Sequence, residues 1–281
     1  MDVVLPRLPQ AGGLIAGAVL TTPRRPPPTA GLPGRRVVVH GVRHEPARLA
    51  AYGRVCGFAL RDEVPATWLH VLSFPLQTYL MAERDFPFRL AGLVHVSNVI
   101  EQYRPVRVTE PVDIATAATG LAPHRRGVVF DLVGEVRVGP ELVWRGTSTY
   151  LARGASLAVE APEVPPTERP APVPPTARWR LPADLGRRYA AVSGDINPIH
   201  LSAVTARPFG FRRPIVHGMW TYARVLSSLD GRLPHAFRAD MRFLKPIPLP
   251  ATVSFGEIPG FHVAVVNADQ QPYLTGSVAA L

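Results

Sequence analysis

One cysteine, Cys56, stands alone among 281 residues. A disulfide needs two thiols and a thiolate cluster needs several, so a disulfide scaffold and a structural zinc site are both excluded. Lysine is nearly absent too: Lys245 is the only one among 31 basic residues, and the rest are arginine. No stretch has the length of a membrane span. The apolar run from Ala11 to Leu20 covers ten residues, well short of a bilayer. Only Arg7 precedes it as a basic residue, which is a poor start for a secretory signal. The run is read as a buried strand, or an arm packed on the body. With one thiol and no signal, the cytoplasm is the expected compartment.

Charge of either sign is modest, at 19% of residues against 47% hydrophobic, which is too apolar for a disordered chain. The formal net charge is nevertheless +10. Arginine, alanine, proline and glycine rise together while lysine vanishes, as in a GC-rich coding sequence. No stripe of arginines interleaved with aromatics is visible, so nucleic acid is not an expected partner. Prolines, by contrast, are plentiful: 32 in all, eight of them between Pro162 and Pro182. Interior prolines break helices, which excludes a long-helix bundle.

The chain repeats itself. Tyr52, Val55, Cys56 and Gly57 match Tyr189, Val192, Ser193 and Gly194 at an offset of 137. Further on, Tyr103 to Val106 matches Leu244 to Ile247 at an offset of 141. Each half reads as a short strand, a short helix ending at Cys-Gly or Ser-Gly, a longer helix, then four strands. The longer helices are placed at Pro75 to Arg84 and at His217 to Leu229. Val128 to Val136 has the β-branched content and partial alternation of a half-buried strand. The expected fold class is α+β, with residues 1–160 as the first unit (an N-terminal arm occupying about 1–34). A Pro-rich, semi-rigid linker follows over 161–176, and 177–281 form the second unit.

The most informative stretch runs from Tyr189 through Ser193-Gly194-Asp195-Ile196-Asn197-Pro198-Ile199-His200. Asn-Pro favours a turn, which can bring a carboxylate and an imidazole round to one small volume. Such a pair can activate water and shuttle a proton near neutral pH. Gly194 would let the backbone approach closely there.

This run resembles the signature of the hydratase 2 family, the MaoC-like (R)-specific enoyl-thioester hydratases: Tyr, a spacer, an aliphatic, a small residue, Gly-Asp-x-Asn-Pro, an aliphatic, His, and Ala206 six residues on. The resemblance implies a double hotdog, two long helices each wrapped by an antiparallel sheet, the sheets joined edge to edge. It implies catalytic roles for Asp195 and His200, and an oxyanion-binding N–H at Gly218. A side chain at position 218 is expected to crowd the thioester. Tyr189, Ser193, Gly194 and Asn197 are expected around the substrate, with Asn197 orienting the turn. His217 is expected to be structural. Arg213, with Arg207, Arg212 and Lys245, is a candidate for the carrier's phosphates. In the first half Phe58 stands in place of Asp195, and Glu63 in place of His200, so that half is expected to be inactive and to supply part of the acyl pocket.

The implied activity is reversible hydration of trans-2-enoyl thioesters to (3R)-hydroxyacyl thioesters in fatty acid metabolism, with no metal and no redox cofactor. The substrate is expected on coenzyme A or acyl carrier protein, the latter also a possible docking partner, and the protein as a monomer or homodimer. A hotdog acyl-CoA thioesterase and a non-catalytic acyl-thioester-binding protein are the alternatives.

Overall fold

The computed structural model describes residues 1–20, 25–90, 92–158 and 173–281. In the first half, β1 (Asp2–Val4), α1 (Ala11–Leu20), β2 (Arg36–Val42), α2 (Pro46–Cys56) and α3 (Ala66–Ala82) precede four strands. These are β3 (Leu93–Gln102), β4 (Val112–His124), β5 (Gly127–Val138) and β6 (Glu141–Arg153). The second half holds β7 (Pro175–Leu181), α4 (Leu185–Ser193), α5 (Ala203–Ala206) and α6 (Gly218–Ser228). It closes with β8 (Phe237–Phe243), β9 (Ala251–Ile258), β10 (His262–Val266) and β11 (Pro272–Ala280).

All eleven strands join one sheet in the order β1-β2-β4-β5-β6-β3-β8-β11-β10-β9-β7. Apart from β1, which pairs parallel with β2 at the edge, the order reads the same outward from the centre in both directions. The two halves meet where β3 runs antiparallel to β8, with Ile100 opposite Ala239 and Asn98 opposite Met241. Strand β5 alternates as its sequence suggests, burying Val128, Phe130, Leu132 and Val136. Those side chains face α3, which is buried almost all round, with Trp68, Leu69, Leu72, Leu76 and Leu80 among its buried residues. Burying a side chain of this size stabilises the fold by roughly 1.5–3 kcal/mol, so the wrapped helix anchors each half.

Three elements differ from the sequence reading. The run Ala11–Leu20 is a helix, not a strand. Ala11 and Ile15, one turn apart, are buried, so one side of the helix is held against the body. The first long helix begins at Ala66 rather than at Pro75, which lies inside it. Proline there removes one helix hydrogen bond, but burial on nearly every side outweighs that loss. Strand β1 had no counterpart in the reading. The Pro-rich spacer lies mostly outside the described residues, and its last two residues belong to β7.

The corrected helix start also changes the alignment of the halves. Val64 N–H donates to the Val106 carbonyl at 2.8 Å, and Val216 N–H donates to the Ile247 carbonyl at 2.9 Å. Val64 therefore corresponds to Val216, Ala66 to Gly218, and Trp68 to Trp220. Residues 57–65 join α2 to α3, whereas residues 194–217 join α4 to α6. Glu63 is bridged to Arg107, where the second half bridges Ile215 to Pro248. It is thus the counterpart of Ile215, and His200 has no counterpart in the first half.

Candidate active site

The long connection of the second half is built from short, locally determined pieces. Helix α4 ends at Gly194 in a left-handed conformation, φ +82°. An added Cβ there would meet nothing closer than 3.9 Å, so the glycine serves the turn rather than a close approach. Asn197 accepts from the Ile199 N–H and opens a turn of 3-10 helix over Pro198–His200. Ser202 and Thr205 cap α5 reciprocally. A close approach does occur at Gly186: a Cβ on this α4 residue would lie 2.0 Å from the His200 carbonyl oxygen.

The result places Asp195 and His200 together. Their polar atoms, with those of His217, lie within 4.8 Å of one another. The ring Nδ1 of His200 faces the Ile215 carbonyl at 2.7 Å. A carbonyl only accepts, so Nδ1 carries the hydrogen and Nε2 keeps its lone pair in the neutral ring. Asp195 Oδ1 accepts the Asn197 N–H at 3.1 Å, and its own N–H donates to the Ser193 hydroxyl at 3.2 Å. Burial raises the Asp195 carboxyl above the usual carboxylate range, against the pull of His200. Burial also lowers the His200 imidazole, with Asp195 opposing. Both shifts favour a neutral acid beside a neutral base.

His217, buried and stacked on the His200 ring at 3.6 Å, donates from Nε2 to the Asp195 carbonyl oxygen at 3.0 Å. It fixes the backbone that carries the carboxylate, while the Tyr189 ring packs on the His217 ring at 4.8 Å between ring centres. Asp195, His200 and His217 each offer an atom to a cation. His217 Nε2 is taken by the Asp195 carbonyl, so its lone pair is on Nδ1, which has no hydrogen-bond partner. Gly218 is the first residue of α6, and among the described residues no acceptor takes up its N–H. The N-terminal end of a helix presents such a donor with the positive end of its dipole. A Cβ at position 218 would meet the Phe243 ring at 3.1 Å. The aromatic ring is therefore the neighbour that a side chain there would crowd.

These groups line a cavity of about 700 Å³ that draws on both halves. Ser193, Asp195, Asn197, His200 and Gly218 line it from the second half, and Ile15, His70, Val71, Phe74, Met81, His95 and Tyr150 from the first. The first half thus walls the cavity that the second half equips. At the rim, Lys245 and Arg153 line it, both exposed. Arg207, Arg212 and Arg213 are exposed and are not among the lining residues.

Sequence reasoning missed Arg48. From α2 it donates to the carbonyls of Val192 at 2.8 Å and Ser193 at 3.3 Å, bracing the end of α4 just before Gly194. In return Trp220 and Ser227 of α6 donate to the carbonyls of Val55 and Cys56 at 2.9 Å each, at the end of α2. Cations and donors suit helix C-termini, but nothing in the spacing announces these partners. His70, His95 and Tyr150 were also missed, because an isolated histidine in an apolar stretch carries no signal of the cavity it will face.

Comparison with known proteins agrees with this geometry. Residues 160–258 match the family model described as a MaoC like domain. The 3-hydroxyacyl-thioester dehydratase X of Mycobacterium tuberculosis is 40% identical over 271 residues, covering 95% of each chain. A crystal structure of that organism's HtdX superposes with a TM-score of 0.78 at 38% identity, over 88% of this chain and all of the other. A MaoC-like dehydratase from Phytophthora capsici shares the fold at 15% identity, with a TM-score of 0.67 over 88% of this chain and 95% of its own. The two-copy sheet, the motif loop and a relative matched along nearly the whole chain lead to one conclusion: this protein belongs to the MaoC-like dehydratase family and has its double-hotdog fold.

Proposed function

We propose that this protein is a hydro-lyase that interconverts trans-2-enoyl thioesters and (3R)-hydroxyacyl thioesters in fatty acid metabolism. The observation that carries the reading is the bare Nε2 of His200, fixed by the bond from Nδ1 to Ile215, beside Asp195 and in one cavity with the free N–H of Gly218. Its support from relatives is the name of the Mycobacterium tuberculosis protein, a 3-hydroxyacyl-thioester dehydratase.

In hydration, a water sits between Asp195 and His200. These two make no direct hydrogen bond, and their separation leaves room for a bridging molecule. His200 Nε2 takes one proton of the water as its oxygen bonds to C3. The C2–C3 π electrons move toward the thioester, and negative charge builds on the carbonyl oxygen. The Gly218 N–H stabilises that oxygen in a site shielded from bulk water. Asp195, whose burial favours the protonated form, delivers a proton to C2, and the proton on His200 restores the carboxyl. One water is consumed and no electron leaves the system, so neither metal nor redox cofactor is needed.

The carrier is coenzyme A or acyl carrier protein, whose shared phosphopantetheine arm would leave the cavity past Lys245 and Arg153. A docked acyl carrier protein would lie against that rim. One chain already contains both halves of the sheet, consistent with a monomer or a homodimer of such units. The test is spectroscopic: loss of enoyl absorbance on crotonyl-CoA and longer enoyl-CoAs without release of free thiol. Thiol release in its place would mark a thioesterase, and binding with neither change would mark a carrier-binding protein.

A further inference from the structure

The wall that the first half gives to the cavity is not simply apolar. His70 on α3 is buried, and its Nδ1 has no hydrogen-bond partner. His95 on β3 likewise has a buried, unpartnered Nε2. Both line the cavity, as does Tyr150 on β6. Their rings form a continuous series: Tyr150 stacks on His95 at 4.7 Å, and His95 lies parallel to His70 at 6.2 Å. The series begins close to the chemistry. Tyr150 is near enough to Asp195 for the carboxylate to help raise its hydroxyl. His95 also meets Phe243 edge-on at 5.0 Å, and Phe243 is the ring against Gly218. From there the polar face leads away from the reacting carbons toward α3.

The other half shows what a satisfied version looks like. Tyr222 occupies on α6 the position that His70 occupies on α3, and its hydroxyl donates to the Ala239 carbonyl at 2.8 Å. Nothing comparable is offered to His70. Burial keeps both imidazoles neutral, with His70 lowered to about 4 and His95 to about 3. A neutral imidazole has one N–H and one lone pair, so the two rings together can donate to and accept from one oxygen. A saturated hydrocarbon chain would leave both unpaired, which costs stability in the complex. We propose that His70, His95 and Tyr150 form a hydrogen-bonding subsite in the acyl cavity, which selects acyl thioesters carrying a hydroxyl or keto oxygen a few carbons beyond C3. The inference deepens the proposed function and rests on the acyl chain occupying this cavity.

Binding tests it separately from turnover. Calorimetry would use thioether analogues of octanoyl-CoA, unsubstituted or bearing a hydroxyl or ketone at C5, C6 or C7. At least one oxygenated analogue should bind about tenfold tighter than the unsubstituted one, the worth of one good hydrogen bond. His95→Phe, which keeps the stack on Tyr150, and His70→Leu should each abolish that gain, while His95→Gln should keep part of it. If His70→Leu does not fold, His95→Phe with His95→Gln decides. Equal affinity for all analogues, or a gain that survives in the folded variants, overturns the subsite and leaves water as the partner of these imidazoles. Failure of the wild-type protein to hydrate any enoyl-CoA would overturn the proposed activity alone, since the binding comparison stands without it.

Discussion

The two connections between short and long helix differ more than any other matched parts of the molecule. In the first half, residues 57–65 pass directly from α2 to α3. In the second, residues 194–217 hold Asp195, Asn197, His200 and His217, and fold into their own short helices. The flanking frames are alike: both short helices end at a left-handed glycine, φ +87° at Gly57 and +82° at Gly194. The proposed chemistry is therefore a loop carried on a frame that both halves share. Without such a loop, the first half still walls the cavity.

Substitutions can break or sharpen this contrast. The largest effect is expected from Asp195→Asn or His200→Ala, which should lower turnover by roughly 10²–10⁴ with the fold intact. Near-normal hydration of crotonyl-CoA by either folded variant would remove the proposed acid-base pair. Next is the helix start. Gly218→Ala pushes a methyl against Phe243 and displaces the N–H, so turnover should fall by about 10². The matched change in the first half, Ala66→Gly, should leave turnover per folded molecule unchanged.

The two left-handed glycines should separate stability from chemistry. Gly194→Ala forces a side chain into a left-handed conformation at a cost of about 1–2 kcal/mol. It should also disturb Asp195, so activity should fall more than denaturant midpoints indicate. Gly57→Ala meets the end of the Arg224 side chain, whose Nη1 would lie 1.7 Å from the new Cβ and can swing aside. Its midpoint should drop by a similar amount, while the folded fraction keeps its turnover.

A smaller, graded effect should follow pH. The unfolded chain protonates His70 and His95 below the ordinary value of 6.5, whereas the folded protein holds them neutral to about 4 and about 3. Stability is therefore full above 6.5 and declines as pH falls below it, on the order of 1 kcal/mol per pH unit for each ring. Urea unfolding of His95→Phe at pH 7 and pH 5 should show a shallower decline than the wild-type protein. Smallest of all, Phe58→Asp should create no second activity, because His200 has no counterpart in the first half. New turnover in an Asp195→Asn background would contradict the one-loop account.

Much of this was legible in the residues. The repeat, the Asp-x-Asn-Pro-x-His turn and the alternation in Val128 to Val136 are local patterns, and local patterns are set by turn chemistry and side-chain period. The start of α3 was misplaced because Pro75 reads locally as a helix start, whereas burial on all sides carries the helix through it. Taking Glu63 as the partner of His200 failed for a related reason: counting along the chain presumes equal loops, and only the hydrogen bonds of Val64 and Val216 reveal which residues correspond.

The sequence by itself determined the two-copy order, the turn that carries Asp195 and His200, and the glycine that opens α6, since each is written in short local runs of residues. The tertiary structure alone decided which tautomer His200 holds, that His217 anchors the Asp195 carbonyl, and that Arg48 braces α4 from the other half. It also turned His70, His95 and Tyr150, scattered over α3, β3 and β6, into one polar wall. Those outcomes depend on which surfaces meet when β3 pairs with β8 and the two wrapped helices come to share a cavity, and contacts between segments so distant in the chain leave no periodicity to read.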